Sequence, residues 1–160
     1  MVHMELSRII ISETNDEQVI VLKEVGGERA FPIVIGIWEA VAIDRNIKGK
    51  KTPRPMTHDL LRNIINDLRA SVERIVVCDL KENTFYATIE LRAPGGPLAI
   101  DARPSDAIAL ALRTSSPIFV EEVVIQDAKS LEASKDSQDV GRLRRWLEGL
   151  SEEELGKYKM

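Results

Sequence analysis

Disulfides, a large aromatic core and a membrane span are all ruled out by what this chain of 160 residues lacks. The only cysteine is Cys78, so no internal disulfide can form and a reducing compartment suits the chain. It lies in the apolar run Ile75-Val76-Val77-Cys78, which reads as core filler rather than as a reactive thiol. Aromatic residues make up 4%, so the core must be built from Ile, Val, Leu and Ala. No stretch approaches the ~20 apolar residues that a membrane span needs. The opening Met1-Val2-His3-Met4-Glu5-Leu6 shows no basic region followed by an apolar one, so the cytoplasm is the expected location. There are two histidines, and beyond the N-terminal tip any histidine acid or base must be His58. Dinucleotide and Walker loops, the nucleophile elbow and zinc-type Cys/His spacing are all missing.

What is present is ordinary for one globular domain: 44% hydrophobic, 30% charged, 17.9 kDa. The net charge of −4 speaks against nonspecific coating of nucleic acid, but it is unevenly spread. Met1 to Asp44 carries eight acids against three bases, whereas Arg45 to Arg54 holds five bases and no acid. Such a strip, with Lys48, Lys50, Lys51 and Arg54, can meet phosphate or be a solvated loop.

Along the chain, Leu6 to Ser12, Glu17 to Val25 and Ala30 to Ile35 read as strands, with Gly26-Gly27 as a reversal. Pro32 lacks an amide donor and assigns the third strand to an edge. Ile37 to Ile47 has helical character, stopped by Gly49. Leu60, Leu61, Ile64, Ile65 and Leu68 repeat at helical spacing after Thr57, a good N-cap. Val72 to Leu80, Thr84 to Arg92 and Leu98 to Ala102 are three further strands. A helix then opens at Pro104, apolar on nearly every side and therefore central. Ile118 to Val120 is extended, and Glu121 to Ala128 is helical. The expected fold is α+β, a duplicated β3α2 motif in one domain over 4–128. Residues 129–160 follow as a polar linker and a C-terminal amphipathic helix. The stripe Val140, Leu143, Leu147 and Leu150, with Trp146 beside it, is a surface for a twin subunit or for the chain's own domain. A homodimer or higher homo-oligomer is expected from it.

Two clusters carry chemistry. In Pro53-Arg54-Pro55-Met56-Thr57-His58-Asp59, an arginine, a histidine and a carboxylate meet at a helix start, where free amides favour anions. The same residues also serve as simple capping. In Asp101-Ala102-Arg103-Pro104-Ser105-Asp106, two carboxylates have the oxygen chemistry for a hard divalent cation, Mg2+ or Mn2+. Arg103 between them is alternatively an ion-pair latch. Glu39, at the corresponding place in the first half, is the natural third carboxylate.

These runs carry a resemblance. Pro53 to Leu61, Asp101 to Arg113 and Pro117 to Val123 resemble ordered motifs of the bifunctional nuclease domain family. Phe31 to Gly36, Glu39-Ala40 and Gly49 match as well, so that likeness spans roughly Met4 to Ala128. The resemblance implies a duplicated β3α2 fold and a nuclease acting on DNA and RNA. By matched position it makes Arg54, His58, Asp59, Asp101, Arg103 and Asp106 candidate site residues. Many members are polar at Ile37-Trp38, so the helix start is expected to be more buried here. The alternative to a metal-dependent nuclease is a non-catalytic, oligomeric binding or regulatory module.

Overall fold

The structure is a computed structural model that describes residues 1–12 and 17–134, with the backbone alone over 131–134. Its strands are β1 (Val2–Ile10), β2 (Gln18–Glu24), β3 (Ala30–Ile35), β4 (Ser71–Lys81), β5 (Thr84–Ala93), β6 (Gly96–Ala102) and β7 (Ile118–Val120). The helices are α1 (Ile37–Ile47), α2 (Thr57–Asp67), α3 (Pro104–Thr114) and α4 (Glu122–Ser134). All seven strands form one sheet in the order β3-β2-β1-β7-β4-β5-β6, antiparallel except for the β4–β7 pair. An α+β fold is the result. The order of three strands and two helices recurs, with β7 interposed between α3 and α4. Glu39 and Asp106 are each third in their helix, and Ala40 and Ala107 each fourth and buried.

The sheet is strongly curled. Phe31 of β3 stacks on Phe85 of β5 with ring centroids 5.8 Å apart, although four strands lie between them in the sheet order. Laid flat, those strands would stand about 24 Å apart at the usual spacing. Curling lets an aliphatic core close with few aromatics, and α3 fills it. Ala107, Ile108, Ala109, Leu110 and Ala111 are all buried, as an all-round apolar helix requires. Val124, Ile125 and Ala128 of α4 join the same core. Pro32 does lie on an edge strand, paired on one side only with Val21.

Several expectations are corrected. α4 continues past Ala128 to Ser134, because its own turns extend the helix into the stretch read as polar linker. Trp38 is 79% exposed rather than buried, since the side of α1 that packs is carried by Ala40, Ala42 and Ile43. Cys78 is half-buried beside Thr88, outside the core cluster to which its neighbour Val77 belongs. The stripe from Val140 to Leu150 lies outside the described residues.

Truncating Ile108 to alanine is expected to cost about 2–5 kcal/mol, because the residue is fully buried. Trp38→Ala should fall within about 0.5 kcal/mol of the parent. Urea unfolding of the two variants measures both.

Candidate functional site: three helix ends and a basic cleft

The site begins with two neighbouring residues of α2 that reach in opposite directions along α3. His58 Nε2 lies 2.9 Å from Asp106 Oδ1, in the first turn of α3. Asp59 Oδ1 accepts from Arg113 Nε at 2.8 Å, in the last turn. Arg113 lies seven positions after Asp106, about 10 Å of helix. The helix starts after Pro55 and Pro104 therefore meet, as their sequence motifs suggest. A carboxylate only accepts, so His58 carries its proton on Nε2 in this contact.

From Asp106 the network runs on to α1. Arg103 donates Nε to Asp106 Oδ2 at 2.9 Å and Nη2 to Glu39 Oε1 at 2.7 Å. Burial pushes the Asp106 carboxyl up, but the hydrogen bonds from His58 and Arg103 outweigh it and hold the group below the usual carboxylate range. The two carboxylates in turn hold Arg103 more firmly charged.

The second network is centred on Arg113, whose side chain is only 3% exposed. Besides Asp59 it donates to the carbonyl oxygens of Ala109 (2.9 Å) and Ala42 (3.1 Å). One guanidinium thus joins α1, α2 and α3, and its planar fork suits it to three acceptors at once. Asp59 Oδ2 also accepts from the Met56 amide at 3.0 Å, so Asp59 caps α2 from inside the helix and Thr57 is its first residue rather than its cap. Burial raises the Asp59 carboxyl, while the Met56 amide and Arg113 lower it further, leaving it depressed.

Beside this second network opens a cleft of about 540 Å³. Arg45, Lys50, Lys51, Pro53, Met56, Arg62 and Arg113 are among its lining residues, with Asp59 the only acid. Lys50 and Lys51 of the basic strip face it. Lys48 does not line it and pairs instead with Asp44 at 2.9 Å, one helical turn back. Arg54 is exposed, outside the lining, and its carbonyl accepts from the Thr52 hydroxyl at 2.6 Å. Arg62 and Arg113 were not singled out from the sequence. The available signal for Arg113 was a charge on a helix otherwise apolar on nearly every side.

A match to the sequence profile of the bifunctional nuclease domain covers residues 20–132. The chain belongs to that family. An uncharacterized protein of Mycobacterium tuberculosis is 36% identical over 151 residues, which is 94% of this chain and 87% of the relative. Bifunctional nuclease 1 of Oryza sativa subsp. indica is 25% identical over 105 residues, 63% of this chain and 32% of that protein. Bifunctional nuclease 2 of Oryza sativa subsp. japonica is 27% identical over 114 residues, 69% of this chain and 35% of the relative.

On the bifunctional nuclease domain seen here, the candidate carboxylates divide. Asp106, Asp59 and Glu39 are all engaged by arginine. Asp101 is exposed on the edge strand β6, opposite Thr88, and does not join either network. No group of three His, Cys, Asp or Glu among the described residues is placed to hold a metal ion. Asp101 and Asp106, as placed, do not fit a resident cation, because both oxygens of Asp106 are already taken. No helix among the described residues is long and apolar enough to cross a membrane.

Removing Arg113 strands the Asp59 carboxylate and two carbonyls at once. Arg113→Ala is therefore expected to lose about 3 kcal/mol or more, and Arg113→Lys to recover only part of it. The depressed carboxyls also set an acid limit. Native values of Asp59 and Asp106 lie below the ordinary 3.8, so their contribution is complete above about pH 4 and is lost as pH falls through the lowered native values. Thermal melts from pH 6 down to 2 should show that loss, and Asp106→Asn should flatten part of it.

Proposed function

We propose that this protein is a nuclease that hydrolyses phosphodiester bonds in DNA and RNA, with the sugar-phosphate backbone lying in the basic cleft at the start of α2. The observation that carries this reading is the cleft itself. On a chain of net charge −4, it gathers Arg45, Lys50, Lys51, Arg62 and Arg113 around one opening beside a helix N-terminus. None of its lining residues is aromatic, so the surface offers phosphate contacts and no ring on which to stack a base. Contacts to phosphate are available in DNA and RNA alike, so the reading covers both.

In this reading water attacks phosphorus and the bond to the leaving oxygen breaks. His58, buried beside the start of α3 and outside the cleft's lining, is the group proposed to carry the proton, through Nδ1, the ring nitrogen not held by Asp106. The scissile bond then lies about 10 Å along α3 from the cleft, which grips the flanking backbone. Asp106 fixes the ring, and Arg103 with Glu39 fixes Asp106. Asp101 is the exposed carboxylate on the strand leading into α3. The second reading, a binding module without turnover, is favoured by one observation: arginines already neutralise Asp59, Asp106 and Glu39.

Labelled single- and double-stranded DNA and RNA, incubated with Mg2+, Mn2+ or chelator, separate the two. Cleavage that disappears in identically purified His58→Ala and Asp101→Ala supports the nuclease. Binding without cleavage in every arm supports the module. In either case Lys50→Ala/Lys51→Ala should weaken binding evenly across sequences. It should also reduce the salt dependence by roughly one to two counterions. Unchanged binding in that variant would remove the cleft from the account.

A further inference from the structure

A second cavity lies next to the basic cleft, across two helix ends. Asn46 and Arg113 line the cleft, whereas their immediate neighbours Ile47 and Leu112 line this pocket of about 330 Å³. Neighbouring Cα atoms are about 3.8 Å apart, so little more than the last turns of α1 and α3 separates the two. The volume falls in the range of small-molecule sites, roughly 300–1,000 Å³.

The strand ladder shows what the pocket offers. β7 begins at Ile118, opposite Met4, because the Ser116 amide turns back to the Ala111 carbonyl at the end of α3. Along a strand, backbone groups point alternately to the two neighbours. The His3 carbonyl accepts from Val25 on the β2 side, so Met4 faces β7. Leu6 faces the same way, past the start of β7, and its N–H and C=O are left open where it lines the pocket. The walls around that donor and acceptor are aliphatic, with Ile47, Leu112 and Ile118. The exposed His3 ring also lines the pocket and is held by stacking on Phe119, centroids 5.1 Å apart. Glu5 brings an exposed carboxylate that has no hydrogen-bond or ion-pair partner among the described residues.

We propose that this pocket holds one unpaired nucleobase of a strand whose phosphates lie in the cleft, and that it prefers bases with an exocyclic amine over thymine or uracil. The Glu5 carboxylate accepts from such an amine. It is repelled by the two carbonyl oxygens that flank the single N–H of thymine and uracil. Leu6 adds one donor and one acceptor, while the aliphatic walls and the His3 ring supply the stacking surface that the cleft lacks. The same negative charge makes the pocket poor for phosphate, which stays with the cations of the cleft. Bases in a duplex are stacked and paired, so the site favours single strands. This inference rests on the cleft's holding the backbone, and it is independent of whether the strand is cut.

The test measures binding to the full chain by fluorescence anisotropy, with chelator present. Labelled oligomers of deoxycytidine and of thymidine are compared with an abasic strand of the same length. The two pyrimidines stack alike and differ chiefly in the amine, so the deoxycytidine oligomer should bind at least about five-fold tighter. Glu5→Gln should level the two, because an amide both donates and accepts, and the exposed position leaves the fold intact. Leu112→Phe narrows the pocket and should weaken the deoxycytidine oligomer while leaving the abasic strand unchanged, which also shows that this variant is folded. Equal binding of all three strands overturns the base pocket and leaves the cleft's role standing. A preference that Glu5→Gln does not move overturns it too, since the selection then lies elsewhere. Failure to bind any strand, the abasic one included, overturns the proposed function together with this site.

Discussion

The arrangement of the three helices depends on one buried guanidinium. Arg113 ends a helix whose other faces are buried in aliphatic core, and its side chain has almost no contact with water. A charge in that place is tolerable only if its donors are met, and Asp59, Ala42 and Ala109 meet them. Because the acceptors come from three helices, satisfying the charge also fixes how those helices sit. Asp59 is then held where it can cap α2, and that start of α2 becomes one wall of the basic cleft. Packing, capping and cleft shape follow from the same ion.

The first turn of α3 works on the same logic with less burial. Asp106 is shared between His58 and Arg103, and Arg103 between Asp106 and Glu39, so the starts of α1, α2 and α3 are joined through alternating charges. That arrangement has two consequences that pull against each other. It fixes the orientation of a histidine, as proton transfer requires. It also occupies both oxygens of the carboxylate that would otherwise be the best cation ligand. The chain's negative net charge is no obstacle to meeting phosphate, because exposed charges act over about one Debye length and the acids near the cleft are already paired.

Much of the secondary structure was legible in the residues. The bounds of α1, β3 and β7 follow directly from Gly36, Pro32 and the breakers around them, and the start of α3 from Pro104. The alternation from Phe85 to Leu91 gave the inner face of β5. Spacing alone offered Arg103 as a latch between Asp101 and Asp106, and the structure keeps the Asp106 half of it while Glu39 takes the place of Asp101. Less legible were Trp38, whose burial was expected because many family members are polar there, and Arg113, which was read only as the last residue of a family motif. Their roles depend on what lies opposite them, and local sequence does not carry that. The apolar side of α2, with Leu60, Ile64 and Leu68 exposed, is the plainest case. Its periodicity specified a helix and an apolar face, but periodicity is the same whether the face meets a core or solvent.

By itself the sequence determined the elements and their class, the aliphatic character of the core, the edge position of the proline strand and membership of the family. These follow from backbone rules and side-chain types acting over a few residues. Tertiary structure alone decided that β3 and β5 meet through a curled sheet, that His58 finds Asp106, and that Arg113 rather than Arg54 stands beside Asp59. It also decided that Lys50 and Lys51 face the cleft while Lys48 turns back to its own helix. Each of these is a pairing between distant residues, fixed by which partner satisfies a buried charge or fills the core, and that choice exists only once the chain has closed.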